Sequence, residues 1–144
     1  MNTVKEVAVF AENKLGQLAH ITRVLSEAGI NIRLVTVATT DTFGVIKFLV
    51  DKPELAHQAL RQSGFTVLLR EVLAIGVADQ PGGLHEVVAL LAQHGINVEN
   101  ASGFVIASKQ RAVLLIEVKD RERAQAVLQQ GRLHLLTAAE LIEI

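Results

Sequence analysis

The chain is 144 residues long, half of them apolar, with 14 basic residues against 15 acidic ones and a net charge of −1. That balance gives no general attraction to nucleic acid or an anionic membrane. No apolar run is long enough to span a bilayer, and the apolar stretch in MNTVKEVAVFAENK is too short for a secretory signal. With no cysteine there is no disulfide, thiolate nucleophile or thiolate metal site, and a cytoplasmic location is the expectation.

The only aromatics are five phenylalanines, so the core must be built from Val, Ile, Leu and Ala. In chain order, Val7–Ala11 reads as a buried strand ended by polar Glu12, Asn13 and Lys14. After Gly16, the spacing of Leu18, Ile21, Val24 and Leu25 predicts an amphipathic helix, and Gly29 supplies a left-handed stop. A strand from Ile30 to Ala38, a turn at Thr39–Thr42 and a strand Phe43–Val50 follow. Asp51 is positioned to cap a helix with Pro53 in its first turn, and Leu55, Ala56, Ala59 and Leu60 form its apolar face. Gly64 ends that helix and Phe65–Leu69 makes a fourth strand.

The order then repeats. Strand Leu73–Ala78, helix Gly83–His94 and strand Asn97–Ile106 lead to a turn at Ser108–Gln110, strand Ala112–Val118, helix Asp120–Gln130 and strand Leu133–Leu136. Thr137-Ala138-Ala139-Glu140 matches a capping box opening a one-turn helix. Arg70-Glu71 is the one polar break between halves and is not a linker in composition, so the domains divide as 1–70 and 71–144. A β-α-β-β-α-β unit places both helices on one face of an antiparallel sheet. Val35, Val37, Leu49, Val113, Leu115 and Val118 suggest strands apolar on both faces, which asks for a second sheet or a second chain to cover them.

The halves share more than a pattern. An offset of 66 positions, from Gly16 to Gly82, also lays Leu18 on Leu84, Leu25 on Leu91 and Gly29-Ile30-Asn31 on Gly95-Ile96-Asn97. A repeated core follows from packing alone; a repeated glycine loop at a helix start suggests a repeated site. In Asp79-Gln80-Pro81-Gly82-Gly83-Leu84, the amides of Gly82, Gly83 and Leu84 are expected to point outward and accept a carboxylate. Asp79 either binds an ammonium or caps the helix, and Asn97 both donates and accepts as it opens the next strand. Together these suit a free amino acid, although turn and cap residues have the same composition.

The pattern D-x-P-G-x-L, amphipathic helix, then G-I-N-I/V resembles the ACT domain, a small-molecule-sensing module of amino-acid metabolism. Asp79, Pro81, Gly82, Leu84, Gly95, Ile96, Asn97 and Val98 carry the resemblance in the second copy, and Asn13, Gly16, Leu18, Gly29, Ile30, Asn31 and Ile32 in the first. The resemblance covers the whole chain and implies an α+β fold of two ferredoxin-like βαββαβ units with antiparallel sheets, packed side by side. It also implies amino-acid binding at unit interfaces, with contacts by Asn13 and Asn31 and by Asp79 and Asn97. The implied ligand-binding set is completed by Leu15, Gly16, Gln17, Leu18, Ile32, Pro81, Gly82, Gly83, Leu84 and Val98. Leu15 stands where the family has proline, so the first loop is less pre-set. Ala11 and Val77 stand where serine-binding members have histidine, which argues against serine.

An enzyme is the first rival. The five histidines sit on or beside helices or on the last strand, and His85-Glu86 does not start a zinc-protease motif because Val88 and Ala89 follow. An RNA-binding module shares the β-α-β-β-α-β order, and Phe43–Phe48 faintly echoes it. Stacking, however, needs exposed aromatic pairs in a basic setting. The reading is a non-enzymatic regulatory sensor of a small-molecule amino acid, with no cofactor or metal, acting as a homodimer and in concert with a metabolic enzyme. The alternative is an interaction module that pairs with itself or an enzyme without any ligand.

Overall fold

The computed structural model describes residues 3–144; residues 1 and 2, at which the expected first domain begins, lie outside the described residues. The chain forms two compact units. One is Lys5–Arg70; the other is Glu71–Ile144 together with Thr3 and Val4.

The first unit contains β1 (Val4–Glu12), α1 (Gln17–Glu27), β2 (Ile32–Thr39), β3 (Phe43–Val50), α2 (Pro53–Gln62) and the first part of β4 (Thr66–Ala78). Its strands run in the order β2-β3-β1-β4, the ferredoxin-like order. β3 is antiparallel to both neighbours, with Val9 opposite Ile46 and Val37 opposite the same residue. Val7, Val9, Ile46 and Phe48 face Ile21 and Leu25 of α1 and Ala56 and Leu60 of α2 in one aliphatic core. Each buried Leu or Ile contributes on the order of 1.5–3 kcal/mol, so this one-faced layer is the main stabilising element of the unit.

The second unit has the rest of β4, α3 (Gly83–Gln93), β5 (Asn100–Ala107), β6 (Arg111–Glu117), α4 (Arg121–Gln130), β7 (His134–Leu136) and α5 (Ala138–Ile142). Its order, β5-β6-β4-β7, repeats the first. Leu73, Ile75, Leu114 and Ile116 meet Val87 and Leu91 of α3 and Ala124 and Leu128 of α4. Among the described residues no helix is long and apolar enough to cross a membrane.

All four long helices end the same way. The amide of Ile30 donates to the carbonyl of Leu25 and that of Gly29 to Ser26, while Ile96 donates to Leu91 and Gly95 to Ala92. Phe65 to Leu60 and Leu133 to Leu128 complete the set. These are Schellman motifs, which need a left-handed residue one position past the cap. Gly29, Gly64 and Gly95 supply it at φ of 72°, 90° and 69°; the fourth helix uses Arg132 at 63°.

Four expectations are corrected. The strands Phe65–Leu69 and Leu73–Ala78 are one thirteen-residue strand, β4, and Arg70-Glu71 lies inside it. The charges are accommodated because Arg70 lies over the Phe10 ring at 5.9 Å and Glu71 pairs with Arg121 at 3.0 Å. Asp51 does not cap α2: its Oδ1 accepts from the amide of Asn31 at 2.9 Å, and Lys52 is the N-cap, its side chain making no bond to the helix start. Asn97 does not open β5, which begins three residues later at Asn100. Finally, Val35 and Val37 on edge strand β2 are 44% and 50% exposed, whereas Leu49, Val113, Leu115 and Val118 are buried.

Candidate functional site

The two loops named by the repeat share one geometry. α1 starts at Gly16 (φ 83°, ψ −3°) and α3 at Gly82 (φ 87°, ψ −8°), both left-handed and both without a side-chain cap. A Cβ at either glycine would meet nothing within 4 Å, so the backbone angle and not crowding demands glycine. Gln17 donates its amide to the carbonyl of Lys14 at 3.2 Å and Gly83 to that of Gln80 at 3.0 Å. The amide of Gly83, expected to face a ligand, is therefore used inside its own turn. Gly83 is also buried, and a Cβ there would fall 2.1 Å from the carbonyl oxygen of Ala78.

The polar residue opening each loop ties it to a hairpin tip. Asn13 donates Nδ2 to the carbonyl of Thr40 at 3.1 Å and its amide to Thr42 at 3.0 Å. Asp79 accepts from the amide of Lys109 on Oδ2 at 2.6 Å and donates its amide to Gln110 at 3.2 Å. Asp79 thus caps the β5–β6 turn and not helix α3. The residue is half-buried.

Beside this loop an open groove of about 440 Å³ runs between α3 and edge strand β5, lined by Leu84, Val88, Val77, Gly103 and Val105 among others. Leu84, 54% exposed, links the loop to the groove. Pro81 and Gly82 are exposed at its mouth end of α3. Leu15 and Leu18, the repeat counterparts of Pro81 and Leu84, are 103% and 41% exposed.

Asn97 is not part of this arrangement. It lies past the other end of α3, an eleven-residue helix with an axial rise of about 16 Å. It lines a separate polar hollow of about 220 Å³ with Glu99, Lys119, Asp120 and Arg123. Val98 packs against the second core and Ile32 against the first. Asn31 is exposed, and its backbone exchanges bonds with Asp51. The expected crevice joining Asp79 to Asn97, or Asn13 to Asn31, does not form within one unit. Gly-Ile-Asn is repeated because it builds the Schellman stop and buries an isoleucine. A cation also sits on each stop: Lys52 donates to the carbonyl of Gly29 at 3.2 Å, and Arg123 donates to that of His94. Both complement the negative end of the helix dipole, a feature that sequence spacing did not signal. Among the described residues no group of three or more His, Cys, Asp or Glu is placed to hold a metal ion.

A family model described as an ACT domain pair matches residues 2–144. The chain belongs to the ACT domain pair family. Among solved structures it is similar to protein BT0572 from Bacteroides thetaiotaomicron, with 29% identity and a TM-score of 0.91 over 99% of this chain and 97% of that one. It is also similar in fold to the regulatory subunit of aspartate kinase from Thermus thermophilus, with 19% identity and a TM-score of 0.64 over 90% and 93% of the two chains. The corresponding subunit from Thermus flavus has 17% identity and a TM-score of 0.63, with 90% of both chains covered. No curated protein matches the chain. The two ACT units are the two βαββαβ units described above.

Proposed function

We propose that the protein is a non-enzymatic, regulatory amino-acid sensor, and that its stronger site is the Asp79–Leu84 loop. The observation that carries this reading is the meeting of three surfaces at one end of α3. The helix start opened by Gly82 offers amides and a positive dipole end for a carboxylate. Oδ1 of Asp79 is left for an ammonium. The groove along Leu84 and Val88 suits an aliphatic side chain. Asn97 and Val98, an α3 length away, join such a site only from a second copy of the chain. A homodimer is supported by exposed Leu18 on α1 and exposed Val35 and Val37 on the edge strand β2. The loop with Asn13, Leu15, Gly16 and Gln17 is the weaker site, since it has no carboxylate and no proline.

Calorimetry against the twenty amino acids tests this. Asp79→Asn keeps an oxygen for the Lys109 amide but removes the charge, so ligand affinity is expected to fall about tenfold or more with little change in melting. Asn13→Ala is expected to cost less. Unchanged binding in Asp79→Asn would remove the ammonium role. No heat with any amino acid at millimolar levels would favour the second reading, a ligand-free pairing module. That reading has its own support in the fully exposed Leu15, which suits a partner surface better than a binding loop.

A further inference from the structure

The repeat position of Phe10 in the second unit is Gly76. In the first unit the phenyl ring is covered by the Arg70 guanidinium. In the second unit the ring is missing, and a hollow of about 320 Å³ remains, lined by Val77, Ile106, Gln110, Arg111, His134 and Leu136 among others. It opens on the sheet face away from the helices. Leu73 and Ile75 point into the helix-side core, so Gly76, one residue past Ile75, points the other way. Its register partners confirm the face: a Cβ on Gly76 would meet Leu136 Cδ1 at 3.6 Å and His134 Cβ at 3.8 Å. Those are ordinary contacts, and Gly76 is not among the residues with positive φ. Neither a turn nor a close approach requires glycine here, although glycine weakens a strand interior.

The charges around the hollow leave one cation over. His134 Nε2 lies 3.1 Å from Glu140 Oε2. Glu140 is also the third residue of the α5 capping box, bonded to the amide of Thr137 at 3.1 Å. Its charge is thus matched by groups already present. Arg111, opposite Ala78 on β6, is exposed and has no ion-pair partner among the described residues. Asp79, the residue after the end of β4, is engaged by the Lys109 amide. No carboxylate lines the hollow, so nothing there receives an ammonium. A guanidinium fork at the mouth and aliphatic walls behind it match a carboxylate with a short branched chain and no amino group.

We propose that the second unit carries a separate binding site for a small aliphatic carboxylate, formed where Arg111 and His134 flank the hollow left by Gly76. It lies on the opposite sheet face from the amino-acid groove and does not depend on that reading. The probe is isovalerate, with neutral isovaleramide as its control, titrated into the full chain by calorimetry and amide NMR. Isovalerate is expected to bind with shifts centred on Gly76, Arg111 and Leu136. Isovaleramide and the Arg111→Met variant should each bind about tenfold or more weakly, the loss of a charge-assisted pair. Gly76→Phe, which restores the residue of the first unit, should abolish binding while the melting temperature holds or rises. Asp79→Asn should leave isovalerate binding unchanged, which separates this site from the loop. No binding at millimolar isovalerate, or equal binding by wild type and Arg111→Met, overturns the proposal. Should Gly76→Phe fold poorly, Arg111→Met, a surface change, decides alone.

Discussion

The first and second units share a strand order and four helix endings, yet their first helices meet the sheet differently. In the second unit Gly83 lets the first turn of α3 settle onto the last residue of β4, where even a methyl group would strike the Ala78 carbonyl. In the first unit Gln17 occupies that place with a side chain, so α1 cannot approach its strand as closely. The same bias runs through the loop: Pro81 against Leu15, and an ionised acceptor at Asp79 against the neutral Asn13. One copy has been tightened and given an anion, the other left looser and without one. A duplicated fold therefore need not mean two equal sites.

The sharpest way to break that comparison is a pair of substitutions. Gly83→Ala should destabilise the protein by about 2–3 kcal/mol, because a fixed backbone carbonyl has to move. Gln17→Ala should stay within about 0.5 kcal/mol. Urea unfolding midpoints measure both; similar values would mean that the two helix starts are packed alike.

Much of this was legible in the residues. Phe43–Val50 is a strand at the bounds its composition sets, and the Thr137 capping box forms in both directions. Two misread features share one cause, a partner distant in sequence. Arg70-Glu71 looked like a break because two charges end most strands, but Phe10 and Arg121 receive them. Asp51 has the right spacing for a cap, yet the Asn31 amide, 20 residues away, takes its oxygen. The candidate loop was readable from Gly16 and Gly82 because left-handed glycines are local. Its true extent was not: Gly-Ile-Asn looked like the other half of a crevice and is a helix stop, and the groove beside Leu84 depends on small Gly103 across the sheet.

A smaller contrast lies at the second helix of each unit. α2 stops on Gly64 and α4 on Arg132, both left-handed. Arg132→Gly should raise stability by about 1 kcal/mol, and Gly64→Ala should lower it by about the same. Chemical denaturation reads both, and a loss on Arg132→Gly would show that the arginine side chain outweighs its backbone strain.

The smallest effect concerns acid. α5 has no counterpart in the first unit. The Thr137 amide, and then His134, hold the Glu140 carboxyl below its ordinary value of 4.5. A lowered pKa favours folding above the ordinary value, and that contribution is lost as pH falls through the lowered one. The exchange protection of the α5 amides, taken relative to the intrinsic rate at each pH, should therefore fall below about pH 4.5, and Glu140→Ala should remove that dependence.

Hairpin tips are where a chain ordinarily accepts extra residues, being exposed and little bonded. Here the tips at Thr40–Thr42 and Lys109–Gln110 hold the loops of Asn13 and Asp79 through backbone groups at set positions. An inserted residue at either tip would draw those groups out of reach. Sequence drift in this chain is thus free to change the side chains of its hairpins but not their length.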